Sequence, residues 1–246
     1  MVTFSLIGIS LVALAVIMLL IFVTKRDHGI RPGFHHEVLD PNHRRYTISV
    51  PVGYSGDKPT PLIMALHYAG HGTPYYGELI LMSLIKPAFQ ELEPIIVSPD
   101  CPGKDWTQPE SEQLIFDLLD AIQEQFNIDQ KRILITGYSL GGMGTWHFAG
   151  HYPDHFTAAI VMAGRPPEDV LEINWRIPLM VIHGRKDEIV PLQAAKEAVL
   201  ALEKKGCDIE LRILESVTHY ETHYFVLALR NAIPWLLEKW VDERKY

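Results

Sequence analysis

Short runs of apolar, often β-branched residues alternate along this chain with longer stretches whose apolar positions recur at helical spacing. Leu62-Ile63-Met64-Ala65-Leu66 is uninterrupted, too short for a helix, and reads as a central strand buried on both faces. Residues 94–98, 132–136, 157–163, 178–182 and 208–214 have the same character. Between them, 77–92, 110–126, 142–149, 192–205 and 221–241 are predicted helices. In the second of these, Leu114, Leu118, Ala121 and Ile122 form the stripe that would lie on a sheet. Gly206 stands at the C-cap place of the fourth, and Pro234 is placed to kink or split the last. Ahead of this alternation, 34–39 and 45–52 are predicted strands joined by a turn at Asp40-Pro41-Asn42. Strands alternating with helices imply a mostly parallel sheet covered on both faces, with chemistry at the carboxyl ends of the strands.

Composition adds little to this and excludes something. With 246 residues, 48% hydrophobic and 21% charged, the chain suits one globular α/β domain with a short appendage. A net charge of −8 with no basic cluster argues against nucleic-acid binding. The appendage is residues 1–24. From Phe4 to Val23 no charge occurs, and a helix of that length would cover roughly 30 Å, the hydrocarbon thickness of a bilayer. The run is too long for a signal peptide, no Lys or Arg precedes it, and no A-x-A-like site follows. We expect a single-pass membrane anchor, a tether over 25–33 closed by Pro32-Gly33, and a catalytic domain over 34–246. Lys25, Arg26 and Arg31 just after the apolar run put that domain on the cytoplasmic side. Cys101 and Cys207 are expected on opposite rims of the sheet, out of reach of a disulfide.

The candidate chemistry centres on Gly137-Tyr138-Ser139-Leu140-Gly141, a G-x-S-x-G sequence set between a strand and a helix. So tight a turn strains Ser139, lifts its hydroxyl out of the sheet and needs neighbours without bulk. A serine hydroxyl attacks only when a base removes its proton and a third group orients that base. An acid is expected after the strand at 178–182, where Asp187 stands, with Glu188 as the spare. The base is expected after the last strand. His219 is the candidate there and His223 the alternative, the latter already in the predicted helix. The two histidines are four apart, as metal ligands can be, but no third ligand accompanies them, and neither metal nor cofactor is expected. Acyl transfer also calls for N–H donors to the developing oxyanion. Leu140, the residue after the nucleophile, supplies one. Ala69 in the loop after Leu66 is assigned the other, with Tyr68 second.

Taken together, Gly137–Trp146, Tyr152-Pro153-Asp154-His155-Phe156, Ser98-Pro99-Asp100-Cys101-Pro102 with Trp106, His183-Gly184 with Asp187, and His219-Tyr220-Glu221-Thr222 resemble a known group. They are similar to the lidless α/β-hydrolase serine esterases: phospholipase/carboxylesterase and dienelactone-hydrolase-like enzymes, with feruloyl-esterase and polyhydroxybutyrate-depolymerase-like relatives. The likeness spans about residues 45–240. It implies an α/β-hydrolase fold and a carboxylic-ester hydrolase with Ser139, Asp187 and His219 as its triad, acting on a small-molecule or lipid ester. It also implies that Trp106 lines an acyl or alcohol pocket, while the residue alone reads equally as a partly buried loop anchor. Such enzymes usually carry His-Gly where this chain has His67-Tyr68, so Tyr68 is expected to narrow the approach to the carbonyl or to touch substrate. The connection over 164–176 is too short for the helical lid of true lipases. A peptidase or thioesterase would use the same residues, and a membrane-tethered binding module would need none of them.

Overall fold

The computed structural model describes residues 31–241 apart from Asn42 and His71. The expected anchor over 1–24 lies outside the described residues, as do 25–30 of the tether. Among the described residues no helix is long and apolar enough to cross a membrane.

The chain opens with a β-hairpin, β1 (Gly33–Val38) and β2 (Arg45–Val50), whose strands pair antiparallel. Pro51 ends the second strand, because the chain turns there with Tyr54 N–H donating to the Pro51 carbonyl at 3.0 Å. Six further strands follow: β3 (Thr60–Leu66), β4 (Ile95–Pro99), β5 (Ile128–Tyr138), β6 (Ala158–Met162), β7 (Leu179–Gly184) and β8 (Ile209–Leu214). They complete an eight-stranded sheet in the order β1-β2-β4-β3-β5-β6-β7-β8. β2 runs antiparallel to β4, and every pairing from β4 through β8 is parallel. β5 starts earlier than its apolar run because Ile128 pairs with Thr60 across a register shift.

The helices divide between the faces, and the strand residues divide with them. Leu62, Met64 and Leu66 join one core with α2 (Pro109–Gln125), α3 (Leu140–His151) and α4 (Leu192–Lys204). Ile63 and Ala65, between them in β3, join the other core. There they meet α1 (Gly77–Ile80, a π-helical turn Leu81–Ile85, then Lys86–Phe89), α5 (His223–Arg230) and α6 (Ile233–Val241). Burial on both sides is why β3 shows no polar alternation.

Two predicted helices differ in detail, both through proline. Pro87 has no N–H to donate back to the preceding turn, and α1 carries its π-helical turn just before it. The expected helix over 221–241 is two helices, with Pro234 in the first turn of α6, where its missing N–H costs nothing.

Candidate active site

Ser139 joins β5 to α3 with φ +56° and ψ −113°, a left-handed conformation that costs on the order of 1–3 kcal/mol for a non-glycine residue. Its N–H donates to the Met162 carbonyl at 2.9 Å, and its carbonyl accepts from Met143 N–H at 3.0 Å, so both sides of the strained residue are held. Neighbouring glycines make the turn possible by close approach. A β-carbon on Gly137 would stand 2.3 Å from the Gly141 carbonyl oxygen, and one on Gly141 would stand 1.9 Å from the Leu66 carbonyl oxygen.

The structure brings Ser139, His219 and Asp187 together. His219 Nε2 lies 3.0 Å from Ser139 Oγ, and His219 Nδ1 lies 2.8 Å from Asp187 Oδ2. His223 instead heads α5 with its ring against Tyr224. Asp187 is buried at the start of the loop after β7. Its other oxygen, Oδ1, accepts N–H groups from Ile189 at 3.0 Å and Val190 at 2.7 Å. His183, fully buried in β7, places Nε2 2.7 Å from the Val190 carbonyl and 3.4 Å from Asp187 Oδ2. Burial alone would raise the Asp187 pKa. Hydrogen bonds from His183, His219 and the Val190 N–H outweigh it and hold the carboxyl well below the usual range.

That depression has a consequence for stability. As pH falls, the unfolded chain takes up this proton before the folded one. The stabilisation is therefore present above the unfolded value of about 3.9 and is lost as pH drops toward the folded value. The unfolding free energy of wild type should exceed that of Asp187→Asn by a constant amount above about pH 5, with the gap narrowing below it. Urea titrations of both chains across pH check this, and a gap that persists unchanged in acid contradicts it.

The loops that carry Asp187 and His219 are stitched together. Arg185 N–H donates to the Leu214 carbonyl at 2.9 Å and Lys186 N–H to the Val217 carbonyl at 3.1 Å. The guanidinium of Arg185 grips the Glu215 carboxylate through both Nε and Nη2. Glu188, the spare acid, does not reach an imidazole nitrogen. Its Oε2 accepts the backbone N–H of His219 at 3.2 Å.

Two clefts share Ala69, and one of them reaches Ser139. One, about 450 Å³, is bordered by Tyr68, Ala69, Tyr138, Ser139, Ile189 and His219, with Tyr220 and Thr222 at its edge. The other, about 330 Å³ and more polar, is bordered by Ala69 and Leu140 together with Arg45, Asp100 and Lys104. Ala69 thus borders both. Leu140 opens α3, where first-turn N–H groups have no intrahelical acceptor.

Trp106 is a correction. It is fully buried, its β-carbon fills the space a Gly144 side chain would need, and its Nε1–H donates to the His67 carbonyl at 2.9 Å. It lines neither cleft; it braces from beneath the loop that carries Tyr68 and Ala69. His67, which the sequence did not single out for a role, braces the same loop. Cys101 N–H donates to its Nε2 at 3.0 Å, so the remaining ring proton sits on Nδ1 and is donated to the Tyr68 carbonyl at 2.8 Å. Burial lowers the His67 pKa and favours this neutral form. Both cysteines are free thiols.

Comparison with known proteins finds hydrolases and esterases. The Dienelactone hydrolase family matches residues 103–222, a span that contains Ser139, Asp187 and His219. Feruloyl esterase C of Emericella nidulans is 30% identical over 171 residues, covering 67% of this chain and 62% of that protein. A probable feruloyl esterase C of Aspergillus terreus is 26% identical over 187 residues, covering 73% of this chain and 68% of that protein. The chain therefore spans about two thirds of the length of these curated relatives. The crystal structure of a thermostable esterase superposes with a TM-score of 0.69 at 26% identity, over 83% of this chain and 62% of that one. The chain has the α/β-hydrolase fold. Its likenesses support a serine esterase, an enzyme that hydrolyses carboxylic esters.

Proposed function

We propose that this chain cleaves carboxylic esters by two-step acyl transfer, with Ser139 as nucleophile, His219 as base and Asp187 as the group that orients it. The observation that supports this most is the imidazole of His219, within hydrogen-bond reach of Ser139 Oγ at 3.0 Å and of Asp187 at 2.8 Å. His219 takes the Ser139 proton as Oγ attacks the ester carbonyl. The N–H groups of Leu140 and Ala69 receive the oxyanion, and Asp187 steadies the imidazolium. His219 then protonates the departing alcohol, and the acyl group remains on Ser139. Water, deprotonated by the same imidazole, releases the acid and restores the hydroxyl. The cleft walled by Tyr68 and Ile189 suits an apolar or aromatic group of the substrate. The names of the feruloyl esterase relatives point the same way.

The same residues would serve a thioesterase or peptidase, and a panel of matched ester, thioester and amide substrates ranks the three. We further propose that residues 1–24 anchor the enzyme in a membrane with the catalytic domain on the cytoplasmic face; the apolar run over 4–23 and the cations after it support this. A fluorophosphonate probe, which reacts with activated serines, tests both readings in cell fractions. The expected label sits in an alkali-washed membrane pellet, resists protease added outside intact cells, and is absent from Ser139→Ala. Label on Ser139→Ala removes the nucleophile, and label released by the wash removes the anchor. Cleavage in intact cells reverses the assigned side.

A further inference from the structure

The imidazole of His219 is held by the Ser139 and Asp187 side chains, but its backbone is held as well, and by their immediate neighbours in the chain. Tyr138, the last residue of β5, donates its hydroxyl to the His219 carbonyl. Glu188, the residue after the acid, accepts the His219 N–H at 3.2 Å. Tyr138 is 2% exposed, with its ring edge-on to Phe225 at 5.1 Å and tilted against His219 at 5.4 Å. Burial and the charges of Asp187 and Glu188 raise its phenol pKa, so the hydroxyl remains a donor through the neutral range. His219 otherwise sits in a loop outside regular structure, with Thr218 N–H and Oγ1 both donating to Glu221 Oε2.

Resting on the reading of Ser139, His219 and Asp187 as the catalytic triad, we propose that Tyr138 and Glu188 are positioning residues that fix the His219 backbone. The geometry gives the reason. The segment that supplies the nucleophile also holds the base's carbonyl, and the segment that supplies the acid also holds its N–H. Movement of the loop after β8 therefore cannot carry the imidazole away from its partners without breaking bonds to both segments. A catalytic group displaced by about 1 Å can lose on the order of a hundredfold in rate, so the backbone grip has a kinetic consequence.

The test uses the full-length chain in detergent and a p-nitrophenyl ester. Tyr138→Phe keeps the ring packing and removes the hydroxyl; Glu188→Ala removes the acceptor, and Glu188→Gln restores a neutral one. Tyr138→Phe and Glu188→Ala should each lower kcat roughly ten- to a hundredfold with KM within about twofold, while Glu188→Gln recovers most of the loss. In a His219→Ala background, Tyr138→Phe should leave the residual rate unchanged, since a residue acting through His219 has nothing left to position. Any of several results overturns the proposal. One is wild-type kcat in folded Tyr138→Phe and Glu188→Ala. Another is a loss confined to KM, which would make Tyr138 a substrate contact. A third is an equal loss from Tyr138→Phe with and without His219. Should Tyr138→Phe not fold, the Glu188 pair decides alone, and failure of the glutamine to rescue counts against the proposal. Wild-type turnover by Ser139→Ala would instead overturn the reading of the triad itself, and so separates the two failures.

Discussion

Ester turnover by Ser139→Ala is expected to fall roughly 10⁴- to 10⁶-fold in kcat, with a KM close to that of wild type. His219→Ala should fall nearly as far, and the double variant no further. This non-additivity carries the argument. Side chains that contributed separately would multiply their losses. A hydroxyl that attacks only when the imidazole takes its proton is already inert once either group is missing, and the second deletion finds nothing to remove. The rate left in each variant measures what the rest of the site does without these two side chains, and it should exceed the reaction in water. Steady-state kinetics on the three variants checks this. Losses that multiply would mean that Ser139 and His219 do not act as one unit, despite standing 3.0 Å apart.

What could be read in the chain beforehand was whatever is written locally. Gly137 and Gly141 around Ser139 announce a turn because the close approaches they permit lie within a few residues of sequence. The uninterrupted run in β3 announces a strand covered on both faces. Asp187 and His219 follow from their places after apolar strands. What escaped depends on partners far along the chain. Nothing local to Tyr138 gives it a role, and its hydroxyl finds a carbonyl 81 residues later. Glu188 was legible as an acid, but its acceptance of a backbone N–H 31 residues away was not. Trp106 misled for the same reason. A tryptophan in a loop near a site can face the cleft or the core, and only the packing of α3 at Gly144 shows that it faces inward. The break between α5 and α6 belongs to the opposite case: Pro234 was in plain view, and only the exact bounds waited on the structure, whereas the π-helical turn before Pro87 went unread.

The largest loss of stability is expected from Gly141→Ala, a single added methyl. Its β-carbon would lie 1.9 Å from the Leu66 carbonyl oxygen and 2.9 Å from that of His67, where unstrained contact begins near 3.4 Å. Neither atom can swing aside like a side-chain end. Leu66 is the last residue of β3, paired in register with Gly137 of β5, and His67 is pinned through Trp106 Nε1 and Cys101 N–H. The methyl must therefore part α3 from the strand ends on which it sits. Overpacking that side chains can absorb costs about 1–3 kcal/mol, and here the backbone must move, so we expect roughly 3–5 kcal/mol. For a domain of this size that lowers Tm by about 10 °C or more. Activity should fall further than the folded fraction, because the same displacement moves the Leu140 N–H and the Ser139 hydroxyl relative to His219. Gly206→Ala is the comparison: that glycine has a φ of +81° but open space around it, so its cost is confined to backbone strain of about 1 kcal/mol. Thermal and urea unfolding of both variants alongside wild type makes the measurement. If Gly141→Ala loses no more stability than Gly206→Ala, the close packing of the turn on β3 is not what holds Ser139 in place.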